Sequence, residues 1–200
     1  MKLYQAAASP FVRKVNVLLH ETDQFGDVTP VHVAITPTAS AAEVNAANPL
    51  GKIPTLERAD GPALYDSRVI CRYLDARVGA GLYPESRIWE TLTLEAMADG
   101  IMDAAVLMVY EKRVRPEDKQ FEGWRDAQWQ KVDRALHAIS TRWMSHLKGR
   151  MDASHIATGC ALGYLDFRHP DRGWRSGHDA LSSWFAEFES RDSMQATKPA

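Results

Sequence analysis

Three short segments in the first third of the chain place polar groups where a helix or a strand should begin. The first is Ser9 followed by Pro10. Serine is a favoured N-cap residue and proline is preorganised for the first helical turn, so the pair predicts a helix start. Free N–H groups and the positive end of the helix dipole at such a terminus stabilise a thiolate or another anion. A plain helix cap without a ligand explains the same two residues.

The second segment is N-P-L-G-K-I-P-T-L, residues 48–56. Proline cannot donate a hydrogen bond to a β ladder, so Pro54 marks the beginning of a strand or a sheet edge. If the Ile53–Pro54 peptide bond is cis, the amide and carbonyl of Ile53 turn outward toward the backbone of a ligand. A strand-start proline without a binding role is the alternative interpretation.

The third segment is Asp66-Ser67, where a predicted strand gives way to a helix. Asp66 would neutralise an ammonium group, while Ser67 and nearby backbone amides would hold a carboxylate. The pair therefore suits the α-amino and α-carboxylate groups of an amino acid. Either residue also serves as an ordinary N-cap, which requires no ligand.

The elements that position these segments fall into two unlike parts. Residues 1–78 follow the order strand, helix, strand, helix, strand, strand, helix, which predicts a small mixed α/β sheet with helices packed on it. Glycines and prolines mark residues 79–87 as a linker. Residues 88–200 have apolar positions at helical spacing and predict an all-α domain. The predicted strands are residues 2–6, 28–35, 53–57 and 62–65, and the predicted helices are 11–21, 41–47, 66–77, 88–114, 122–147, 152–167 and 178–190.

Composition and charge are typical of an ordinary soluble globular protein, and the low cysteine count fits a reducing cytoplasm. The hydrophobic fraction is 45%, and the formal net charge of −2 lacks the basic excess that nucleic-acid binding requires. No apolar run approaches the ~20 residues of a membrane span, and no secretory signal is recognised at the start. With two cysteines and seven scattered histidines, none in a metal-binding spacing, we expect neither disulfides nor a metal.

Taken together, the three segments resemble the N-terminal motifs of the glutathione S-transferase superfamily. They read S-P-F-V-R-K-V from residue 9, N-P-L-G-K-I-P-T-L from residue 48 and Y-D-S-R-V-I-C-R-Y-L from residue 65. The resemblance covers essentially the whole chain, and residues 95–104 and 163–168 are similar to a bacterial subgroup. It implies a thioredoxin-like domain followed by the family's helical domain, and a homodimer.

The resemblance also implies how glutathione is bound. Ser9 would donate a hydrogen bond to the glutathione sulfur and favour its thiolate. Ile53, held by a cis-Pro54, would pair through its backbone with the cysteinyl part. Asp66 and Ser67 would grip the γ-glutamyl end.

Five further residues receive roles from the resemblance. Phe11 and Lys52 would contact glutathione, Lys52 on the glycyl side. Asp99, on the helix that lines the family's dimer interface, would reach glutathione in the partner subunit. Met102 and Tyr110 could face the pocket of the electrophile; the alternative for the methionines at helical spacing is a place in the core.

The chain departs from the family pattern in two helix caps and at the redox position. Asp66 stands where many members have glutamate, so the side chain is one methylene shorter. The usual S/T-x-x-D capping box is replaced by D-A-S-H at residues 152–155; Asp152 can still cap, but His155 is not the usual acid, so we expect a weakened box. Redox relatives have a cysteine where this chain has Ser9, so thiol–disulfide exchange is not expected.

The implied activity is that of a detoxifying enzyme, transfer of glutathione to a small hydrophobic electrophile. A glutathione-dependent isomerase is one alternative, but those relatives carry Ser-Ser-Cys before the helix, where residues 6–9 here are A-A-A-S. A non-catalytic glutathione-binding or regulatory module is the other. Retention of all three segments counts against a degenerate site.

Overall fold

A computed structural model gives the fold and describes residues 1–199. The N-terminal part contains one four-stranded sheet with strand order β2-β1-β3-β4. Strands β1 and β2 are parallel, while the β1–β3 and β3–β4 pairs are antiparallel. The elements are β1 (Lys2–Gln5), α1 (Pro10–Glu21), β2 (Thr29–His32), α2 (Ala42–Ala47), β3 (Thr55–Arg58), β4 (Gly61–Leu64) and α3 (Ser67–Val78). This sheet confirms the α/β class predicted for the N-terminal part.

Strand β2 ends three residues before the predicted end at residue 35. Its partner β1 offers only four residues, and the parallel register runs from Lys2 opposite Thr29 to Gln5 opposite His32. The N–H of Val33 still donates to the carbonyl of Gln5 at 2.9 Å. Beyond that bond no further residue of β1 is available, so the chain leaves the sheet.

The second part is helical, as predicted. Its helices are α4 (Ile88–Val114), α5 (Glu122–Ala138), α6 (Met144–Leu147), α7 (Ala153–Arg168) and α8 (Asp179–Glu189). A π-helical turn, Ile139–Trp143, separates α5 from α6 and interrupts the helix predicted over residues 122–147. Every residue of α7 from Ala153 to Leu165 is buried, so α7 is the central helix of this part. Within the described residues, no helix has the length and apolar character needed to cross a membrane.

The chain divides into two compact units, and the division differs from the predicted bounds of 1–78 and 88–200. The helical unit comprises residues 84–191. The first unit comprises residues 1–83 together with the chain from Asp192 onward, which includes an unpredicted short helix, α9 (Asp192–Ala196). The buried guanidinium of Arg13 on α1 donates to the carbonyl of Met194 at 3.0 Å, and the Ser193 hydroxyl donates to the Glu21 carboxylate. These bonds explain why α9 groups with the first unit.

Candidate functional site

The sheet register brings the three predicted segments to one edge of the first unit. Strand β3 is antiparallel to both of its neighbours, and Tyr4 near the end of β1 pairs with Thr55 at the start of β3. Strand β4 likewise ends opposite the start of β3. Since β1 and β4 end where β3 begins, the segments that contain Ser9, Ile53–Pro54 and Asp66 all adjoin that edge.

Ser9 is the N-cap of α1, and its hydroxyl oxygen accepts a hydrogen bond from the N–H of Val12 at 3.3 Å. A hydroxyl that accepts in this way still has its own proton to donate. Pro10 has no N–H, so the N–H of Phe11 is the group at this helix end that has no intrahelical acceptor. The capping interpretation and the ligand interpretation of Ser9 are therefore compatible: one lone pair caps the helix, and the O–H remains for an anion.

The Ile53–Pro54 peptide bond is cis. Ile53 is half-buried and Pro54 is buried. Ile53 precedes the first ladder residue of β3, so the sheet does not use its N–H and C=O. These two backbone groups are available to pair with the backbone of an extended ligand.

Asn48 and Thr55 hold the loop that carries Ile53, a role that sequence reasoning missed. Asn48 is 1% exposed, and its Nδ2 donates to the Lys52 carbonyl and to Thr55 Oγ1, both at 3.1 Å. Thr55 Oγ1 in turn donates to the Lys52 carbonyl at 2.8 Å. Gly51 has φ of 62°, and a Cβ there would lie 2.7 Å from the Asn45 side chain. The sequence shows Asn48 before Pro49 and Thr55 after Pro54, but it does not show that the two side chains contact each other.

Replacing Thr55 with valine tests this network. The change keeps the shape of the side chain and removes the hydroxyl. It should destabilise the fold by about 1 to 3 kcal/mol, because the buried Asn48 amide and the Lys52 carbonyl each lose a hydrogen-bond partner. The free energy of unfolding, measured by urea denaturation, should therefore fall by this amount. The same change at exposed Thr29 on β2 is the matched control and should leave the free energy of unfolding nearly unchanged. An unchanged value in the Thr55 variant would show that the loop needs no such support.

Asp66 is the N-cap of α3, and its Oδ1 accepts from the N–H of Arg68 at 3.0 Å. Its Oδ2 lies 3.6 Å from Arg68 Nε, and the Asp66 side chain is 61% exposed, so the carboxylate has one cationic neighbour and a solvent-exposed face that can receive another cationic group. Ser67 follows as a buried residue in the first helical turn, and the Tyr65–Asp66 peptide bond is also cis. Lys52 is exposed near the same sheet edge.

Three predicted site residues lie on α4 in the helical unit rather than at this edge. Asp99 is 2% exposed and Met102 is 0% exposed in the described chain. Neither side chain offers surface to a partner subunit or to an electrophile in the single chain, so the roles expected for them stay predictions. Tyr110 is half-buried and keeps part of its surface.

A buried cluster at the start of α7 brings His146, Asp152 and His155 together, with ligand atoms within 4.8 Å of one another. The N–H of Ser154 donates to Asp152 Oδ1 at 3.0 Å, and the N–H of Asp152 donates to His155 Nδ1 at 3.2 Å. The reciprocal capping box is thus complete, and the expectation of a weakened box was wrong because an imidazole nitrogen accepts as the missing acid would. Arg87 Nε donates to Asp152 Oδ2 at 3.1 Å, so a fixed cation already occupies an oxygen that a metal would need.

Sequence comparisons match both parts of the chain to known protein families. Residues 3–81 match the family described as "Glutathione S-transferase, N-terminal domain", and residues 122–187 match "Glutathione S-transferase, C-terminal domain". The chain is 34% identical over 205 residues to the uncharacterized GST-like protein YibF of Escherichia coli strain K12. The matched region covers 100% of this chain and 98% of that protein.

Solved structures are similar over the whole chain. A glutathione transferase family member from Pseudomonas fluorescens Pf-5 with bound glutathione is 48% identical, with a TM-score of 0.97 and coverage of 100% of this chain and 98% of that one. A structure from the same organism with bound S-(propanoic acid)-glutathione is 46% identical, with a TM-score of 0.92 and full coverage of both chains. A glutathione S-transferase from Methylobacillus flagellatus KT with glutathione bound is 35% identical, with a TM-score of 0.87 and coverage of 100% and 99%.

Proposed function

Because this chain belongs to the glutathione S-transferase family, we propose that it binds glutathione at the described sheet edge and transfers its thiolate to a small hydrophobic electrophile. The observation that carries the proposal is the N-terminus of α1. There the Ser9 hydroxyl caps the helix through its oxygen and keeps its proton for a ligand, beside the free N–H of Phe11. Both groups stabilise a negative sulfur more than a neutral thiol.

The energy required for thiolate formation is within reach of these groups. A free thiol has a pKa of about 8.5, so glutathione is mostly protonated near neutral pH. Lowering the pKa by about two units corresponds to roughly 2.7 kcal/mol of differential stabilisation of the thiolate. A hydrogen bond to a charged group contributes about 1.5 to 3 kcal/mol, and a helix terminus contributes about 0.3 to 2 kcal/mol.

The thiolate then acts as the nucleophile. Its sulfur forms a bond to the electrophilic carbon, and the displaced group leaves with the electron pair of the broken bond. Holding the two reactants together adds an advantage of proximity. The Pseudomonas relative with S-(propanoic acid)-glutathione supports conjugation, because that ligand is a glutathione whose sulfur already carries an organic acid. We extend the same ligand class to this chain.

Asp66 should bind the γ-glutamyl ammonium group, and Asp66→Asn tests that role. Asparagine caps helices as well as aspartate does, so the acceptor for the Arg68 N–H remains and α3 should stay stable. The loss of one charge-assisted hydrogen bond, about 1.5 to 3 kcal/mol, should raise the Kd of glutathione at least tenfold. Calorimetric titration measures the Kd. Exposed Asp60 in the turn between β3 and β4 gives the control, Asp60→Asn, which should bind as the wild type does.

Two other functions remain open for the same site. A non-catalytic binding or regulatory module would bind glutathione without turnover, and an isomerase would use glutathione without consuming it. Retention on a glutathione resin followed by a conjugation assay with a generic aryl halide separates transfer from both alternatives. Retention without turnover favours the module or the isomerase over transfer, and failure to be retained contradicts the proposal as a whole. By family resemblance, we also propose that the protein is a cytoplasmic homodimer. Light scattering of the purified protein measures the mass of the assembly and so tests whether it is a dimer.

A further inference from the structure

A surface cavity of about 390 Å³ lies within the helical unit, between the end of α5, the π-helical turn and the start of α8. Pockets for small molecules usually have volumes of about 300 to 1,000 Å³, so the cavity can hold a small ligand. One alanine and five residues with charged or ionisable side chains line it: Asp133, Arg134, His137, Ala138, Arg142 and His178. Because arginines and histidines dominate this lining, the cavity has the composition of an anion site.

The π-helical turn Ile139–Trp143 helps to bring the two arginines to one side of the helix. Arg134 lies on α5, and Arg142 lies eight residues later in the π turn. In a regular α-helix, residues eight apart are displaced by about 80° around the axis. A π turn uses more residues per turn and so reduces this displacement. Single π turns inside α-helices are rare and frequently occur at functional sites.

A hydrogen bond holds the His178 ring at the cavity. His178 is half-buried and immediately precedes α8, and its Nδ1 lies 2.9 Å from Ser140 Oγ in the π turn. A protonated imidazole donates from both ring nitrogens. The ring can therefore donate to Ser140 through Nδ1 and to a bound anion through Nε2. Ser140 is thus a positioning residue for one donor of the cavity.

The charges at the cavity favour a ligand with more than one negative charge. Neither the Arg134 nor the Arg142 guanidinium forms a hydrogen bond or an ion pair with the residues that the structure describes. Asp133 supplies one negative charge, four residues before His137 on the same face of α5. Two arginines and one aspartate leave one net positive charge before either histidine is protonated. A bound dianion would favour the protonated form of both histidines and so add to this charge.

We propose that this cavity binds a phosphate group, either as the free ion or as part of a small monoester. A phosphate monoester carries a charge of about −1.5 to −2 near neutral pH and presents three acceptor oxygens. Guanidinium groups bind such oxygens in bidentate pairs, and Arg142 and His178 come from different elements, so they can contact different oxygens. A carboxylate offers only two oxygens in one plane. None of the residues proposed to bind glutathione lines this second site.

Calorimetric titration at constant ionic strength, in a buffer without phosphate, tests the site with inorganic phosphate and with glycerol 3-phosphate. Arg134→Gln and Arg142→Gln should each raise the Kd of both probes at least about tenfold, because each removes charge-assisted hydrogen bonds. Asp133→Asn should lower the Kd severalfold, because it removes the negative charge at the cavity. Arg150→Gln, at an exposed arginine of the helical unit outside the cavity, is the matched control and should keep the wild-type Kd. All four side chains are exposed, so urea unfolding should show each variant to be as stable as the wild type.

Three results would overturn the phosphate site. The first is the absence of saturable binding of both probes to the wild-type protein. The second is a rise in Kd for Arg150→Gln as large as that for Arg134→Gln, because general surface charge would then explain the binding. The third is equally tight binding of malonate, a dianion that carries carboxylates in place of a phosphate.

The two probes also identify the source of the phosphate group. Tighter binding of glycerol 3-phosphate than of inorganic phosphate indicates a monoester, whose organic part occupies the rest of the cavity. Equal or tighter binding of inorganic phosphate indicates the free ion. Glycerol alone, which lacks the phosphate, should not bind. These results are independent of glutathione transfer, which the Ser9 variants test.

Discussion

Ser9→Ala is expected to lower the conjugation rate by about 10- to 100-fold, with a much smaller change in the Kd of glutathione. The Ser9 proton bonds to the sulfur most strongly when the sulfur is negative, so its loss raises the pKa of the bound thiol. Steady-state kinetics measures the rate, and the ultraviolet absorbance of the bound thiolate as a function of pH measures the pKa. The rate and the thiol pKa should change together. Turnover equal to that of the wild type would remove Ser9 from the mechanism.

Two other substitutions separate catalysis from capping, because Ser9 does both. Ser9→Asn keeps an oxygen that accepts from the Val12 N–H but removes the hydroxyl, so its stability should match the wild type and its activity should match Ser9→Ala. Ser9→Thr keeps both functions and should remain active. Ser9→Ala itself should lose about 1 kcal/mol of stability from the missing cap. An active and stable asparagine variant would mean that the residue acts only as a cap.

Asp152→Ala is expected to destabilise the helical unit by about 3 to 5 kcal/mol. The Asp152 carboxylate is 0% exposed and accepts hydrogen bonds from Arg87 and from Thr91 Oγ1 at 3.0 Å. His146 Nε2 also lies 2.9 Å from the same oxygen, Oδ2. Alanine leaves these buried groups without an acceptor and removes the cap of α7, the central helix of this unit. Asp152→Asn keeps a cap but loses the charge, so its stability should lie between the two.

The pH dependence of this effect follows from the Asp152 pKa. Burial alone would raise that pKa, but the hydrogen bond from Ser154 and the electrostatic interaction with His146 lower it well below its ordinary value. Because the folded pKa is lowered, the carboxylate stabilises the fold fully above the unfolded pKa of about 3.9. That contribution is lost only as the pH falls through the still lower folded pKa. The full effect of the substitution should therefore be measured at neutral pH.

Tryptophan fluorescence during urea unfolding reports on the correct unit. All six tryptophans lie in the helical unit, between residues 89 and 184. Asp179→Ala, in the exposed first turn of α8, is the matched control and should change the free energy of unfolding by less than about 1 kcal/mol. An Asp152→Ala protein as stable as the wild type would contradict the buried capping box as a source of stability.

The sequence predicted those elements whose signals are local. Ser9 with Pro10 marks the start of α1, and the alternation of apolar residues locates the strands. Helix α9 was missed because five residues carry too short a periodic pattern, and its contact with Arg13 spans 181 positions. The π-helical turn at Ile139–Trp143 was missed because the apolar spacing continues through it. Tertiary packing decides both features, and no local pattern encodes it.

The same distinction applies to the candidate site. The segments at Ser9, Ile53–Pro54 and Asp66 were visible because each combines a helix or strand start with a polar group. Their meeting at one sheet edge followed only from the strand register, and the Asn48–Thr55 network followed only from burial. His155 was judged by its residue type, as a missing acid. Whether an imidazole completes a capping box depends on the ring position, which the sequence does not give.

The bond from Arg13 to the Met194 carbonyl has a consequence for the order in which the protein is made. During synthesis α1 emerges first, but the acceptor for its buried guanidinium is translated only after the whole helical unit. The first unit is therefore completed last, even though it contains the start of the chain. A polypeptide that stops at Tyr83 includes all three segments of the candidate site and still lacks the carbonyl that accepts from the buried guanidinium of Arg13, in the helix that Ser9 caps.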